Sequence, residues 1–140
     1  MTISDRLRRQ VIEEARHRCE YCKTSSRLTG TPLIIEHIFP KSLGGSDDRS
    51  NLAASCYRCN EFKGAKTDAI EPETKQLVPL FNPRTQSWTD HFVWGNGGTH
   101  MIGMTPTSKV TVIALRLNND NLVEARAIWI EFGWHPPSEQ

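Results

Sequence analysis

The chain has 140 residues, 37% of them hydrophobic and 24% charged, with a net charge of +1 at pH 7, a balance that fits one folded domain and excludes a disordered or low-complexity chain. No apolar run approaches the roughly 20 residues that span a bilayer, and the polar start from Met1 to Arg9 lacks the apolar stretch of a secretory signal. A cytoplasmic protein is therefore expected, with reduced thiols, so its cysteines point to metal binding rather than disulfides.

In chain order, Ser4 to Arg16 spaces Leu7, Val11, Ile12 and Ala15 as an amphipathic helix, with Ser4 as its N-cap. Cys19 to Thr31 is polar, and Pro32 to Ile35 then reads as a brief strand ending at Glu36-His37. Pro40 and Gly44-Gly45 place a loop over Pro40 to Arg49, returning the chain to a second short strand around Asn51 to Ala54. Tyr57 to Ala69 reads as a short helix fraying after Lys66. Residues 71–90, with Pro72, Pro79 and Pro83, are expected to be irregular. Phe92-Val93-Trp94, a turn at Gly95 to Gly98 and Met101-Ile102-Gly103 predict a hairpin, and Lys109 to Ala114 a further strand. A closing helix is expected over Asn118 to Phe132, with Leu122, Ala125, Ile128, Trp129 and Phe132 on its packed face.

Cys19-x2-Cys22 and Cys56-x2-Cys59 are two knuckle pairs of the kind that hold tetrahedral Zn²⁺, since two intervening residues let both thiolates turn toward one ion. A site filled by four sulfurs is closed and therefore structural, so any chemistry lies elsewhere. Basic charge gathers around these motifs. Residues 1–66 hold 12 Lys and Arg against 8 Asp and Glu, whereas residues 67–140 hold 5 against 8, a weak pointer to a phosphate-bearing partner.

Between the pairs run Glu36-His37-Ile38-Phe39-Pro40-Lys41-Ser42-Leu43-Gly44-Gly45 and Asn51-Leu52, and the second pair is followed by Asn60-Glu61-Phe62-Lys63-Gly64. This order resembles the HNH endonucleases, whose pattern is an acidic residue plus histidine, a proline and paired glycines, an Asn-Leu, and a Cys-x2-Cys followed by His or Asn. Leu80 to Arg84, Trp88, His91-Phe92, Gly103 to Thr105 and Trp134 to Pro137 also look like the tail of small stand-alone bacterial members. The resemblance implies an α+β fold with a ββα-metal core. A four-cysteine zinc site staples that core, an N-terminal helix precedes it, and a C-terminal hairpin-plus-helix extension follows. One domain over residues 1–140 is expected, its core at about 15–69 and its extension at about 70–140.

Phosphodiester hydrolysis needs a deprotonated water in line with the leaving oxygen, and positive charge on the phosphate. An imidazole takes the water's proton near neutral pH, which makes His37 the candidate general base. The resemblance gives Glu36 and Asn60 to a catalytic Mg²⁺ or Mn²⁺ and gives Asn51 the task of orienting the histidine. Two positions matter for the metal. The family commonly has aspartate where this chain has Glu36, and Asn60 in place of histidine favours an all-oxygen shell. Lys41, Arg49, Arg58, Lys63 and Lys66 flank the site as candidate phosphate contacts. The implied activity is metal-dependent cleavage of DNA, most readily duplex DNA. The alternatives are a non-catalytic zinc-stabilised nucleic-acid-binding module, or a nuclease acting on RNA or on structured or single-stranded DNA.

Overall fold

The computed structural model describes residues 3–138, so Met1 and Thr2 of the polar start lie outside it, as do the last two residues. No helix among the described residues is long and apolar enough to cross a membrane. The described residues divide into two compact units, 3–67 with 82–85, and 68–81 with 86–138.

In the first unit, helix α1 (Asp5–Glu14) begins where the Ser4 hydroxyl accepts the Leu7 N–H, satisfying one of the donors that a helix start leaves unpaired. Its apolar stripe, Leu7, Val11, Ile12 and Ala15, packs on Ile35, Leu52 and Ala54. That cluster is the core of the unit. Helix α2 (Ser26–Thr29) is a single turn capped by Ser25, which the polar run of small residues had hidden. Strands β1 (Ile34–His37) and β2 (Leu52–Ser55) pair antiparallel, with Ile35 opposite Ala54 and His37 opposite Leu52. All four residues of β2 are buried, so this strand carries the hairpin into the interior.

The connection between the strands is ordered by its glycines. Gly44 adopts φ 97° to close the turn Lys41–Leu43, a conformation open to glycine and strained for other residues. At Gly45 a Cβ would meet the Phe39 carbonyl oxygen at 1.8 Å. Both glycines thus serve backbone geometry. Helix α3 (Tyr57–Lys63) follows β2 directly, with Cys56 as its N-cap. It ends at Gly64, sooner than the sequence predicts, because Gly64 takes φ 53° and ψ −129° and leaves the helical path.

The second unit departs further from expectation. Hairpin β3 (Asp68–Ile70) with β4 (Leu77–Pro79) replaces the end of the expected helix at Asp68-Ala69 and part of the stretch expected to be irregular, and a short helix α4 (Trp88–His91) follows. The turn is held by the Glu71 carboxylate, which accepts the Thr74 N–H at 2.6 Å. The predicted second hairpin is present as β5 (Phe92–Gly95) with β6 (His100–Gly103). The expected strand at Lys109 to Ala114 is instead helical: α5 (Pro106–Ala114) starts with proline and a reciprocal Thr105–Ser108 capping box, and these start signals override the β-branched run behind them. The closing helix is α6 (Asp120–Glu131), capped by Asn119. Its packed face was misread, since Ile128 and Phe132 are 55% and 62% exposed while Arg126 is fully buried. The Arg126 guanidinium donates to the carbonyls of Thr99 and Leu117 and to Asn118 Oδ1, which lets a charge sit in the interior.

Candidate active site

The four cysteines converge. Their sulfurs all lie within 4.8 Å of one another. Cys22 Sγ and Cys56 Sγ are 3.7 Å apart, close to the about 3.8 Å between sulfurs around a tetrahedral ion with bonds of about 2.3 Å. Hydrogen bonding to Cys19, then to Cys22 and Cys56, together with burial, pushes the Cys59 thiol well above its usual range. A divalent cation would let all four become thiolates. This donor set fits a structural metal ion.

The knuckle is wired to the hairpin through the two residues between its cysteines. Glu20 donates its N–H to the Ala54 carbonyl at 2.9 Å and accepts the Ala54 N–H on Oε2 at 2.8 Å, which pairs the outer edge of β2. Arg84 forms an ion pair with the other Glu20 oxygen. Tyr21 is buried and donates its hydroxyl to Glu36 Oε2 at 2.7 Å. Burial, then the Glu36 charge, pushes the Tyr21 phenol well above its ordinary range, so it stays a donor.

Successive residues of a strand face opposite sides, and β1 uses this to separate two charges. Glu36 faces inward and is 4% exposed. Lys63, on α3, places Nζ 2.5 Å from Glu36 Oε1 and donates to the Ile38 carbonyl at 2.9 Å. The ammonium lies off the axis of a hydrogen bond to Oε1, which has a cationic neighbour but no aligned donor. Lys63, read from sequence as a phosphate contact, is only 2% exposed. Its charge is neutralised by Glu36, so it is not a surface contact.

His37 lies on the other face of β1, the face of Ile35, but at the strand's end outside the cluster packed on α1, where it is partly exposed. Its Nε2 lies 2.8 Å from Asp47 Oδ1, and the two side chains are 20% and 27% exposed. Nδ1 has no hydrogen-bond partner among the described residues. Lys41 Nζ lies 2.8 Å from both Asp47 oxygens. The Lys41 ammonium, and after it His37, holds the Asp47 carboxyl below its usual range. Asn51, given the orienting role by resemblance, makes no side-chain hydrogen bond to the imidazole. Its Oδ1 accepts the Phe39 N–H at 2.8 Å, while Nδ2 donates to the carbonyls of Phe39 and Ser46 at 3.1 and 2.9 Å. It therefore clamps the loop that carries Asp47.

Asn60 is half-buried on α3, next to Cys59 and three residues before Lys63. Residues three apart share a helix face, so Asn60 lies on the side from which Lys63 reaches β1. Its side-chain amide makes no hydrogen bond among the described residues. A hard cation such as Mg²⁺ keeps several waters and needs accessible oxygens. The Glu36 carboxylate, dry and engaged by Lys63 and Tyr21, does not fit that requirement here. Lys41, Arg58 and Lys66 are exposed, and Arg49 is half-buried against Glu14. Nothing local in the sequence marks Asp47 as the partner of His37, ten residues away across a loop, or Tyr21 as the partner of Glu36.

The family model of an HNH endonuclease matches residues 19–71, the segment that holds both cysteine pairs, β1, β2 and α3. Two curated relatives align beyond it. The CRISPR-associated endonuclease Cas9 of Corynebacterium diphtheriae is 27% identical over 126 residues, 89% of this chain and 11% of that protein. Septu protein PtuB of Bacillus thuringiensis is 28% identical over 121 residues, 84% of this chain and 44% of that protein. The chain thus spans less than half the length of both relatives. No solved structure matches it.

Proposed function

We propose that this chain, whose residues 19–71 match the family model of an HNH endonuclease, hydrolyses phosphodiester bonds in duplex DNA, with His37 as the general base and zinc in the four-cysteine site. The observation that supports this most directly is the state of His37. It stands at the open end of β1 with Nε2 on Asp47 and Nδ1 unpartnered. In that arrangement Nδ1 takes a proton from water, the resulting hydroxide attacks phosphorus, and the bond to the leaving strand's oxygen breaks. The proton passes from the imidazolium to solvent. Exposed Lys41, Arg58 and Lys66 supply phosphate attraction without base readout, which accords with weak sequence preference.

Nucleases of this family use divalent metal ions. Mg²⁺ or Mn²⁺ would supply Lewis-acid stabilisation of the phosphate. Of the side chains that the resemblance assigns to it, Asn60 is unengaged and Glu36 is locked to Lys63. The lock is the one observation that favours a second reading, a module that binds nucleic acid without cutting it. Purified zinc-loaded protein, freed of other metals by buffer exchange rather than by a chelator, should nick supercoiled plasmid on addition of Mg²⁺ or Mn²⁺. His37→Ala should lower the rate by at least about 100-fold. Equal nicking by both proteins sinks the base assignment, and a gel shift without nicking under any divalent ion selects the binding module.

A further inference from the structure

Asp47 belongs to no part of the motif, yet it is the only side chain hydrogen-bonded to His37 among the described residues. Resting on the reading of His37 as base, we infer that Asp47 is its positioning residue: by accepting the Nε2–H it fixes the tautomer in which Nδ1 carries the lone pair and faces the water. An ionised carboxylate is an acceptor only. Lys41, in contact with both Asp47 oxygens, keeps it ionised. A neutral imidazole 2.8 Å from Oδ1 must therefore carry its proton on Nε2, which leaves Nδ1 basic.

The backbone around Asp47 is held independently of the histidine. Asn51 Nδ2 donates to the Ser46 carbonyl, one residue before Asp47, and the same amide group grips Phe39 on both its N–H and its carbonyl. Gly45 lies so close to the Phe39 carbonyl that no side chain fits there. His37 and Asp47 are thus fixed at two ends of one clamped loop, and the family's asparagine acts on the histidine through Asp47 rather than by contact. The competing interpretation is an ordinary surface ion pair between Lys41 and Asp47, which would leave both tautomer and turnover unchanged.

The test uses the full chain, zinc-loaded and ¹⁵N-histidine-labelled. Long-range ¹H–¹⁵N spectra should show His37 as the Nε2–H tautomer in the wild type and as a mixture or the Nδ1–H form in Asp47→Ala. The turnover rate at saturating plasmid should fall on the order of 100-fold with little change in KM. Asp47→Glu should recover part of it. Asp48→Ala, which removes the neighbouring charge, should stay within about threefold of wild type in both parameters. Persistence of the Nε2–H tautomer in Asp47→Ala, or turnover within about threefold of wild type in that variant, overturns the proposal. The spectra need no cleavage. A tautomer shift in a protein that cuts no DNA supports the Asp47–His37 coupling and defeats the hydrolytic reading alone.

Discussion

The two faces of β1 hold adjacent residues under opposite physical conditions. Glu36 is dry, matched to Lys63 and Tyr21, and joined through Tyr21 to the cysteine knuckle. His37, one residue on, is partly wet and matched to Asp47, which is itself shared with the exposed Lys41. A buried ion pair loses a large solvation energy that its partner must restore, whereas a wet pair exchanges freely with water. The buried Glu36 site is therefore suited to holding shape, and the partly exposed His37 site at the strand's end to moving a proton. Perturbing each face separately tests that division.

The largest effect should come from the four sulfurs, because they hold both supports of Glu36: Tyr21 lies between Cys19 and Cys22, and Cys56 and Cys59 anchor the start of α3, from which Lys63 reaches it. Structural zinc sites contribute on the order of 10 kcal/mol. Stripping zinc, or Cys59→Ser, should unfold the first unit, seen as loss of near-ultraviolet dichroism from the buried Tyr21 and loss of nicking together. Retention of that signal without zinc would show that the metal does not hold the inward face. The sign with pH follows from Cys59. Its raised pKa keeps a proton that zinc must displace, so zinc affinity should rise as pH rises and proton release should accompany binding.

Next in size is the buried pair. Removing one partner strands the other charge, at about 3–5 kcal/mol. Lys63→Ala should therefore lower the urea midpoint strongly. Glu36→Leu with Lys63→Met should recover part of the loss, since the apolar pair strands no charge and leaves only the neutral Tyr21 hydroxyl and Ile38 carbonyl without their partners. If the double variant is as unstable as Lys63→Ala, Glu36 is not the reason that Lys63 is buried. His37→Ala, on the other face, should leave the midpoint within about 1 kcal/mol of wild type.

Much of the first unit was legible from local spacing. The x2 gaps bring the sulfurs together, the apolar run before Glu36 makes β1, and Ser4 marks the start of α1. What stayed hidden depended on distance or on a residue acting against its usual habit. Lysine ordinarily keeps its ammonium in water, so nothing local announced that Lys63 would turn inward. Asp47 meets His37 only because the loop folds back on itself, and an acidic residue near two glycines reads as solvated. In the second unit Val110 to Ile113 is β-branched and invites a strand, yet Thr105, Pro106 and Ser108 start a helix there. Those start signals are present in the sequence and outweigh the composition of the run behind them. Arg126 inverts the expected face of α6 because its guanidinium finds three oxygens, a match that periodicity cannot express.

The smallest expected effect lies on the first unit's surface, where Arg49 donates from Nε to Glu14 Oε1 at 2.7 Å and ties α1 to the turn before β2. This pair repeats the chemistry of Glu36 and Lys63 in the opposite setting. Its members are 47% and 29% exposed, so water and salt screen it and its contribution should be at most about 1 kcal/mol. Arg49→Ala should shift the urea midpoint slightly at low salt and not measurably at high salt. The same variant tests Arg49 as a DNA contact. Losing a phosphate contact reduces the salt dependence of DNA binding by about one ion's worth, whereas an arginine committed to Glu14 leaves that slope unchanged. With Glu14 in place the unchanged slope is expected, and in Glu14→Ala the freed guanidinium should strengthen binding at low salt. A reduced slope in Arg49→Ala would mean that the pair opens on DNA, and that even the wet face of this unit rearranges to meet its substrate.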